Sequence, residues 1–368
     1  MKPLNVHPPE GLEDGHPQNL PAELSSASGT IRIPELRNIA LTRRVQHVID
    51  HPAFQRLRSI RQLGPTHLVY PGAVHTRFEH SLGVYGCTQW FLLSLLRDTN
   101  IAASLTESDM MAVMAAALLH DLGHYPYAHS LEALHLKGQD TPRHEEVGAR
   151  IIRGEIDALR GEEPIAKILE RDWRVDPERV IRLCTGALGE DAPIIDRILR
   201  SIISGAIDAD KMDYLERDAH HMGVAYGRHY DRQRLLASLR LNQAGDGIGI
   251  AAKGKISAEM FIFSRYTMFS EAYWHHTVRA ASAMVESALA AFYSRSPRSP
   301  EEMLEILLTH HDDAFMEWLI EHSPQGSATR HLLSGLTGWN RSLYKRVLTL
   351  SRVYLEDDKQ RAYDRIYH

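Results

Sequence analysis

The sequence predicts a mainly α-helical fold, and three observations predict it. The first is Met110-Met-Ala-Val-Met-Ala-Ala-Ala-Leu-Leu119, a run of uncharged, mostly aliphatic residues. A run apolar on every side reads as a helix buried on every side. It is too short to span a bilayer, and Asp109 and His120 flank it. The second observation is that apolar residues recur at helical spacing through most of the chain. The third is that one clear stretch, Leu239 to Ile256, alternates instead. It is broken by Gly245-Asp-Gly247 and reads as a β-hairpin.

Residues 1–28 are rich in Pro, Gly, Ser and Glu and lack periodicity, so a flexible N-terminal arm is expected there. A helical core is expected over 29–240. The hairpin, a long helix and a C-terminal helical lobe are expected over 241–368. Ile31-Arg-Ile-Pro-Glu35 suggests a short strand. Helices follow at 36–49 and 53–62, then a loop at 63–72 fenced by Gly-Pro and Pro-Gly. Further helices are expected at 76–97, 109–119, 128–136 and 145–159. A mixed helical stretch covers 160–190, broken at Gly161 and Gly186. Helices at 194–204 and 230–239 precede the hairpin. One very long helix is expected at 259–293, then others at 300–320 and 328–354. Gly249-Ile-Ala-Ala-Lys-Gly254-Lys255 fits a phosphate-loop pattern, but Ile256 follows and no parallel-sheet unit surrounds it, so the hairpin reading prevails.

The 368 residues are 43% hydrophobic and 24% charged, as in an ordinary folded soluble protein. The formal net charge of -5 argues against a general nucleic-acid coat but leaves room for a local basic pocket. Cys87 and Cys184 stand far apart with no CxxC, which points to two small buried thiols rather than a disulfide framework or a thiolate zinc site. The first residues lack the apolar core of a signal peptide, no stretch of 18 apolar residues occurs, and the cytoplasm is the expected location. Twenty-two histidines stand out, and their positions must decide which ones do chemistry.

Four residues form a candidate metal set. The apolar helix ends in His120-Asp121, His80 lies one turn into another helix, and Asp210 lies near the start of a third. A carboxylate at a buried helix end needs a partner or a metal. Two histidines and two carboxylates make a borderline-hard set that suits Mn, Fe, Co, Ni, Zn or Mg without selecting among them. Taken singly, each histidine also fits a structural role, and Asp210 also fits a helix cap.

Four blocks, in order, narrow the reading: Gln55-Arg-Leu-Arg-Ser-Ile-Arg-Gln-Leu-Gly64, Tyr70-Pro-Gly-Ala-Val-His-Thr-Arg-Phe-Glu-His-Ser-Leu-Gly83, His120-Asp-Leu-Gly-His-Tyr-Pro-Tyr-Ala-His129 and Asp208-Ala-Asp-Lys-Met-Asp-Tyr-Leu-Glu-Arg-Asp218. Over residues 35–295 they resemble the HD-domain phosphohydrolases, and within them the deoxynucleotide triphosphohydrolase branch. The resemblance implies one divalent metal on His80, His120, Asp121 and Asp210. It implies that Arg77 binds a phosphate and that His124 and His129 line the α-phosphate, with His129 positioning or activating water. His144 would donate a proton to the leaving group, although its spacing from His120 departs from the family pattern. Lys211 and Tyr214 would hold phosphates and sugar. Gln62 and Asp218 would bond the sugar 3′-hydroxyl, with Leu63 packing beside it. Arg265, Tyr273 and His275 would close the nucleotide site.

The same resemblance implies a nucleotide substrate, in the first place a dNTP cleaved to deoxynucleoside and inorganic triphosphate. It also implies a homo-oligomer, dimer or tetramer. Asp50, Gln55 and Arg58 match positions that hold a regulatory nucleotide, and helix packing explains them equally well. Tyr125, Tyr127 and Phe269 depart from the family pattern, which leaves the preferred base open. The alternatives are a phosphohydrolase acting on another nucleotide (a monophosphate, cyclic or alarmone species) and a nucleotide- or nucleic-acid-binding module with secondary hydrolysis. The net acidity weighs against nucleic acid, and no membrane partner is expected.

Overall fold

The computed structural model describes residues 4–5, 20–35, 37–133, 142–337 and 341–347. The fold is mainly helical, as the apolar pattern predicts, and three two-stranded antiparallel ladders accompany the helices among the described residues. None of these helices is long and apolar enough to cross a membrane.

Three helices form the centre. Arg77–Leu95 buries every residue except Glu79 and Trp90. It packs against Glu107–Leu119 on one side and Ala209–Met222 on the other. The Glu107–Leu119 helix buries Asp109 through Leu119, as expected of a helix with no polar face. It starts earlier than its apolar run because Thr106 and Asp109 form a capping box, which gives Asp109 a structural role at the start. Amphipathic helices wrap this rod. Pro177–Thr185 turns Val180, Ile181 and Leu183 inward, and Ile194–Ile203 does the same with Ile198, Leu199 and Ile202.

The structure corrects several expectations. The helix expected over 36–49 is a strand, Arg37–Leu41, followed by the helix Arg43–Ile49. Gly29–Ile33 pairs antiparallel with Arg37–Leu41, and Thr42 then caps the helix, so long-range pairing overrides local helical spacing. The second helix shortens to Pro52–Gln55 and continues as a 3₁₀ turn, Arg56–Ser59. The helix expected to reach residue 159 stops at Arg153, where Gly154 takes φ 77°. Within the expected arm, residues 1–3 and 6–19 lie outside the described residues, and Leu4–Asn5 pairs with Ser26–Ala27. Residues 22–25 form a short helix whose Glu23 is buried against Thr42 and Arg44.

The long helix expected over 259–293 is broken. Lys255–Thr267 runs into a π-helical turn, Met268–Tyr273, and His275 then caps a new helix, His276–Arg295. The hairpin is present: Leu239–Leu241 pairs with Ile248–Ile250. Gly249 therefore belongs to a strand and not to a phosphate loop. The 300–320 stretch divides into Pro300–Thr309 and Asp312–Glu321. Of the expected 328–354 helix, Ala328–Thr337 is helical, residues 341–347 are not helical, and residues 338–340 and 348–354 lie outside the described residues.

One carboxylate joins the C-terminal helices to the centre. Asp312 is 2% exposed, and its Oδ2 accepts the Arg61 backbone N–H at 2.7 Å. Arg61 forks onto Asp313 at 2.9 and 2.6 Å. Burial raises the Asp312 carboxyl from the ordinary 3.8 to about 6; Asp313 pushes the same way and the Arg61 contacts oppose it. A raised carboxyl favours the folded state most when protonated. That contribution is full below the unfolded value and is lost as pH rises through about 6. Asp312→Asn keeps an acceptor and removes the titration. Between pH 4 and 7 the wild type should lose roughly 2 kcal/mol relative to Asp312→Asn, as read by urea unfolding across that range. A pH-independent difference between the two proteins would contradict this account.

Candidate active site

The His80, His120, Asp121 and Asp210 side chains meet at the C-terminal end of the Glu107–Leu119 helix. His80 Nε2 lies 3.1 Å from Asp210 Oδ1 and 3.7 Å from Asp121 Oδ2. His120 Nε2 lies 3.4 Å from Asp121 Oδ1 and 3.8 Å from Asp210 Oδ1. The other ring nitrogen is engaged in both histidines. His120 Nδ1 sits 2.8 Å from the Ala117 carbonyl, which can only accept, so Nδ1 carries the proton. His80 Nδ1 sits 2.8 Å from Asp213 Oδ2. Both Nε2 atoms are thereby left to present lone pairs toward carboxylate oxygens, and His120 Nε2 is buried without a hydrogen-bond partner.

Lone pairs and anionic oxygens converging on one point call for positive charge between them. A divalent cation supplies it; otherwise a proton does. The protein's own electrostatics show the same demand. Burial pulls the His80 imidazole down, but hydrogen bonds to Asp210 and Asp213 and the Asp121 charge outweigh it and raise it to about 10. Burial pushes the Asp121 carboxyl up, yet the surrounding His124, His120 and Arg77 hold it well below the usual range. The donor set and its outer hydrogen bonds fit a divalent metal, and His80, His120 and Asp121 bring their ligand atoms within 4.8 Å of one another.

Local sequence explains why Asp210 is available. Asp208, not Asp210, caps the Ala209–Met222 helix, accepting the Lys211 backbone N–H at 2.7 Å. Asp208 also takes the Lys211 ammonium at 2.7 Å, so that charge is already paired. Arg77 likewise donates to Asp121 Oδ2 at 2.6 Å.

A second cluster lies next door. His124 Nδ1 is 3.3 Å from Asp121 Oδ1. The His124 and His144 rings lie 3.8 Å apart, and His129 stands edge-on to both at 5.2 and 5.6 Å. Burial and the Arg77 charge push His124 well below its ordinary value, and Asp121 opposes them. His129 points outward, with 69% of its side chain exposed. Glu132 links the group: it accepts the His144 backbone N–H at 2.8 Å, lies 2.9 Å from His144 Nδ1, and lies 3.7 Å from His129 Nδ1. A carboxylate against Nδ1 leaves Nε2 of each ring for proton transfer. Gly123 makes the approach feasible, since a Cβ there would sit 2.0 Å from the His144 carbonyl oxygen.

The remaining candidates divide. Tyr273 donates to Asp218 Oδ2 at 2.6 Å, and Tyr214 stands edge-on to Tyr273 at 6.4 Å. Asp218 is also bonded to His75 at 2.8 Å, so both its oxygens have protein partners. Arg265 lies over the Phe269 ring at 5.6 Å, and its charge acts on Tyr214. Gln62 keeps a buried Oε1 without a partner, and Leu63 packs beside the core. His275 caps the helix after the π turn and meets the Tyr70 ring edge-on. Asp50, Gln55 and Arg58 do not join this site. Asp50 ends a helix, Arg58 donates to Gln55 at 2.8 Å, and its guanidinium stacks 3.6 Å over the Phe78 ring.

Residues 77–218 match the HD domain, and residues 230–366 match the HD associated region. The chain belongs to the HD-domain family. The Bacillus subtilis uncharacterised protein YwfO is 36% identical to this HD protein over 64% of the chain and 49% of its own length. The chicken (Gallus gallus) deoxynucleoside triphosphate triphosphohydrolase SAMHD1 is 30% identical, over 81% of this chain and 52% of its own length. The HD protein thus spans about half the length of these curated relatives. A hypothetical protein from Aquifex aeolicus of solved structure superimposes with a TM-score of 0.67 at 31% identity, covering 84% of this chain and 74% of the other.

Sequence reasoning missed Glu132, Asp213 and His75. The first two stand one helical turn after a chosen residue, at His129-x-x-Glu132 and Asp210-x-x-Asp213, and that spacing was the available signal. Asp213→Asn removes the charge that holds the His80 Nδ1 proton. Divalent metal affinity should fall about 10–100-fold, measured by competition with a chromophoric chelator. Unchanged affinity would mean that Asp213 does not orient this ligand.

Proposed function

We propose that this HD protein hydrolyses deoxynucleoside triphosphates at the α-phosphorus, releasing deoxynucleoside and inorganic triphosphate. One observation carries the reading: the His80–His120–Asp121–Asp210 cluster and the His129–Glu132–His144 group flank the same carboxylate region, with the Asp121 and His124 side chains in contact between them. A metal-type cluster beside a proton-transfer group suits attack of water on a phosphate. The similarity to SAMHD1 proteins supports the choice of substrate.

In this reading His80, His120, Asp121 and Asp210 would hold one divalent metal, and such an ion would supply Lewis-acid stabilisation of phosphate charge. Arg77 and Lys211 bind phosphate oxygens, exchanging part of their present bonds to Asp121 and Asp208. Glu132 orients His129, which takes a proton from the attacking water. The water oxygen bonds to the α-phosphorus, the bond from phosphorus to the 5′-oxygen breaks, and His144 returns a proton to that oxygen. Tyr214, Asp218 and Tyr273 bind the sugar, with Gln62 and Leu63 beside it and Arg265 and His275 closing the site.

The protein is proposed to act as a homo-oligomer. Ile256, Phe263, Tyr266 and Trp274 expose 55–69% of their surface along the segment that also carries Arg265 and Tyr273. Such an apolar row on water favours self-association. Tyr266→Arg should lower the mass read by light scattering toward a single chain, and an unchanged mass would assign the interface elsewhere.

The decisive assay separates products by ion-pairing chromatography after incubation with each dNTP and Mn or Mg, with and without added dGTP. Deoxynucleoside and triphosphate should form in equal amounts and vanish in Asp121→Ala. Glu132→Gln should lower kcat by about 10²–10⁴-fold with a smaller change in KM. Turnover confined to monophosphates or other nucleotides would keep the hydrolase and discard this substrate.

A further inference from the structure

A separate cleft lies at the opposite end of the Glu107–Leu119 helix from His120 and Asp121. It encloses about 880 Å³, within the usual range for small-molecule sites. Its walls are the start of that helix, the Arg43–Ile49 helix and the turn over 169–174. Thirteen residues at about 1.5 Å rise each set the two ends of the rod roughly 20 Å apart, so the cleft is not an annex of the metal cluster.

Four arginines line it: Arg43, Arg44, Arg171 and Arg174. Glu107 and Asp172 stand among them, so what the cleft offers an anion is the arginines that no carboxylate engages. Arg44 is steadied by Glu23 at 3.2 Å, and Arg171 is engaged by Asp172 and Glu163. Arg43 and Arg174 are exposed and show no ion pair or hydrogen bond among the described residues. The frame around them is rigid. Trp173 is buried and donates from Nε1 to the Arg44 carbonyl at 3.2 Å, and His47 lies 2.7 Å from Asp172. Both bonds tie one wall to the other.

The backbone at this point is costly. Leu169–Trp173 is a π-helical turn, and Arg174 follows at φ 55°, a left-handed conformation that side chains seldom adopt. Glycine would fit there without strain, and an arginine stands in its place. The strained turn presents Arg174 to the same cleft as the unpaired Arg43.

We propose that this cleft binds a multiply phosphorylated small anion of triphosphate size. Several separated guanidinium groups on a fixed frame match several phosphate groups, each able to accept paired N–H donors. The acidic Glu107 and Asp172 disfavour a singly charged anion, which gains too little to offset them. Inorganic triphosphate and the triphosphate of a nucleotide share this chemistry. The proposal stands whether or not the active site hydrolyses dNTPs.

The test is a mass-spectrometric footprint with phenylglyoxal on the full chain in EDTA, at constant ionic strength. Inorganic tripolyphosphate should slow modification of Arg43 and Arg174 several-fold and leave the exposed Arg32 unchanged. A non-hydrolysable nucleoside triphosphate, run beside it, identifies the better source. Equal protection by sulfate, protection by a single-stranded oligonucleotide alone, or no difference from Arg32 overturns the proposal. Calorimetry with tripolyphosphate gives an independent readout in the double variant Arg43→Ala/Arg174→Ala. One binding site should disappear: two sites fall to one if the active site also takes triphosphate, and one falls to none if it does not. An unchanged number of sites and an unchanged affinity refute it.

Discussion

The buried guanidinium of Arg217 is the contact on which the centre of this protein depends. It is fully enclosed and bonds Asp213 twice, at 2.9 and 2.6 Å, and Glu79 at 2.5 Å. A buried charge is tolerable only when its partners are all in place, and removing any of them leaves an unpaired ion. The arrangement therefore fixes a position more than it adds stability. Asp213 is held so that its second bond can turn His80. Glu79 reaches on to His221 at 3.2 Å, His221 stacks on His75 at 4.3 Å, and His75 bonds Asp218. One polar chain thus runs from a metal-type ligand to the tyrosines on the far side of the site.

That chain imposes demands on its neighbours. The Arg77–Leu95 and Ala209–Met222 helices must approach closely for Asp213 and Arg217 to fit between them. Gly83 is where they do so: a Cβ there would lie 1.9 Å from Asp213 Oδ1 and 2.4 Å from an Arg217 nitrogen. Gly123 plays the same part beside the second cluster, where the His144–Arg153 helix comes against the His-Asp turn. Two glycines, each without room for a methyl group, therefore set the approach of Asp213 and Arg217 to the Arg77–Leu95 helix and of the His144–Arg153 helix to the His-Asp turn. The site is also braced from outside, because Asp312 holds the Arg61 backbone next to Gln62 and Leu63.

Much of this was legible in the chain. The helix at 107–119 declared itself because it is apolar on every face, and such a segment has only one stable place, the centre. His80, His120, Asp121 and Asp210 stood out because ionisable groups at the ends of buried helices need one another or a cation. The strand at 37–41 was not legible. Its local spacing suits a helix, and only its partner at 29–33 decides otherwise. The break at 268–275 escaped for a related reason: no proline marks it, and a π turn leaves no signature in hydrophobic spacing.

The sequence alone determined the family, the helical class and the choice of His80 and Asp210 as the residues that meet His120 and Asp121. It could do so because motif order and apolar periodicity are properties of single segments. The tertiary structure decided which atoms are free to act. It gave the helix cap to Asp208 and left Asp210 to the cluster, joined Glu132 to His129 and His144, and occupied Asp218 with His75 and Tyr273. It also brought Arg43, from one segment, to the cleft that holds Arg174 from another. Such pairings depend on distances of a few ångströms between side chains from three to more than a hundred residues apart, and only the packed chain fixes those distances.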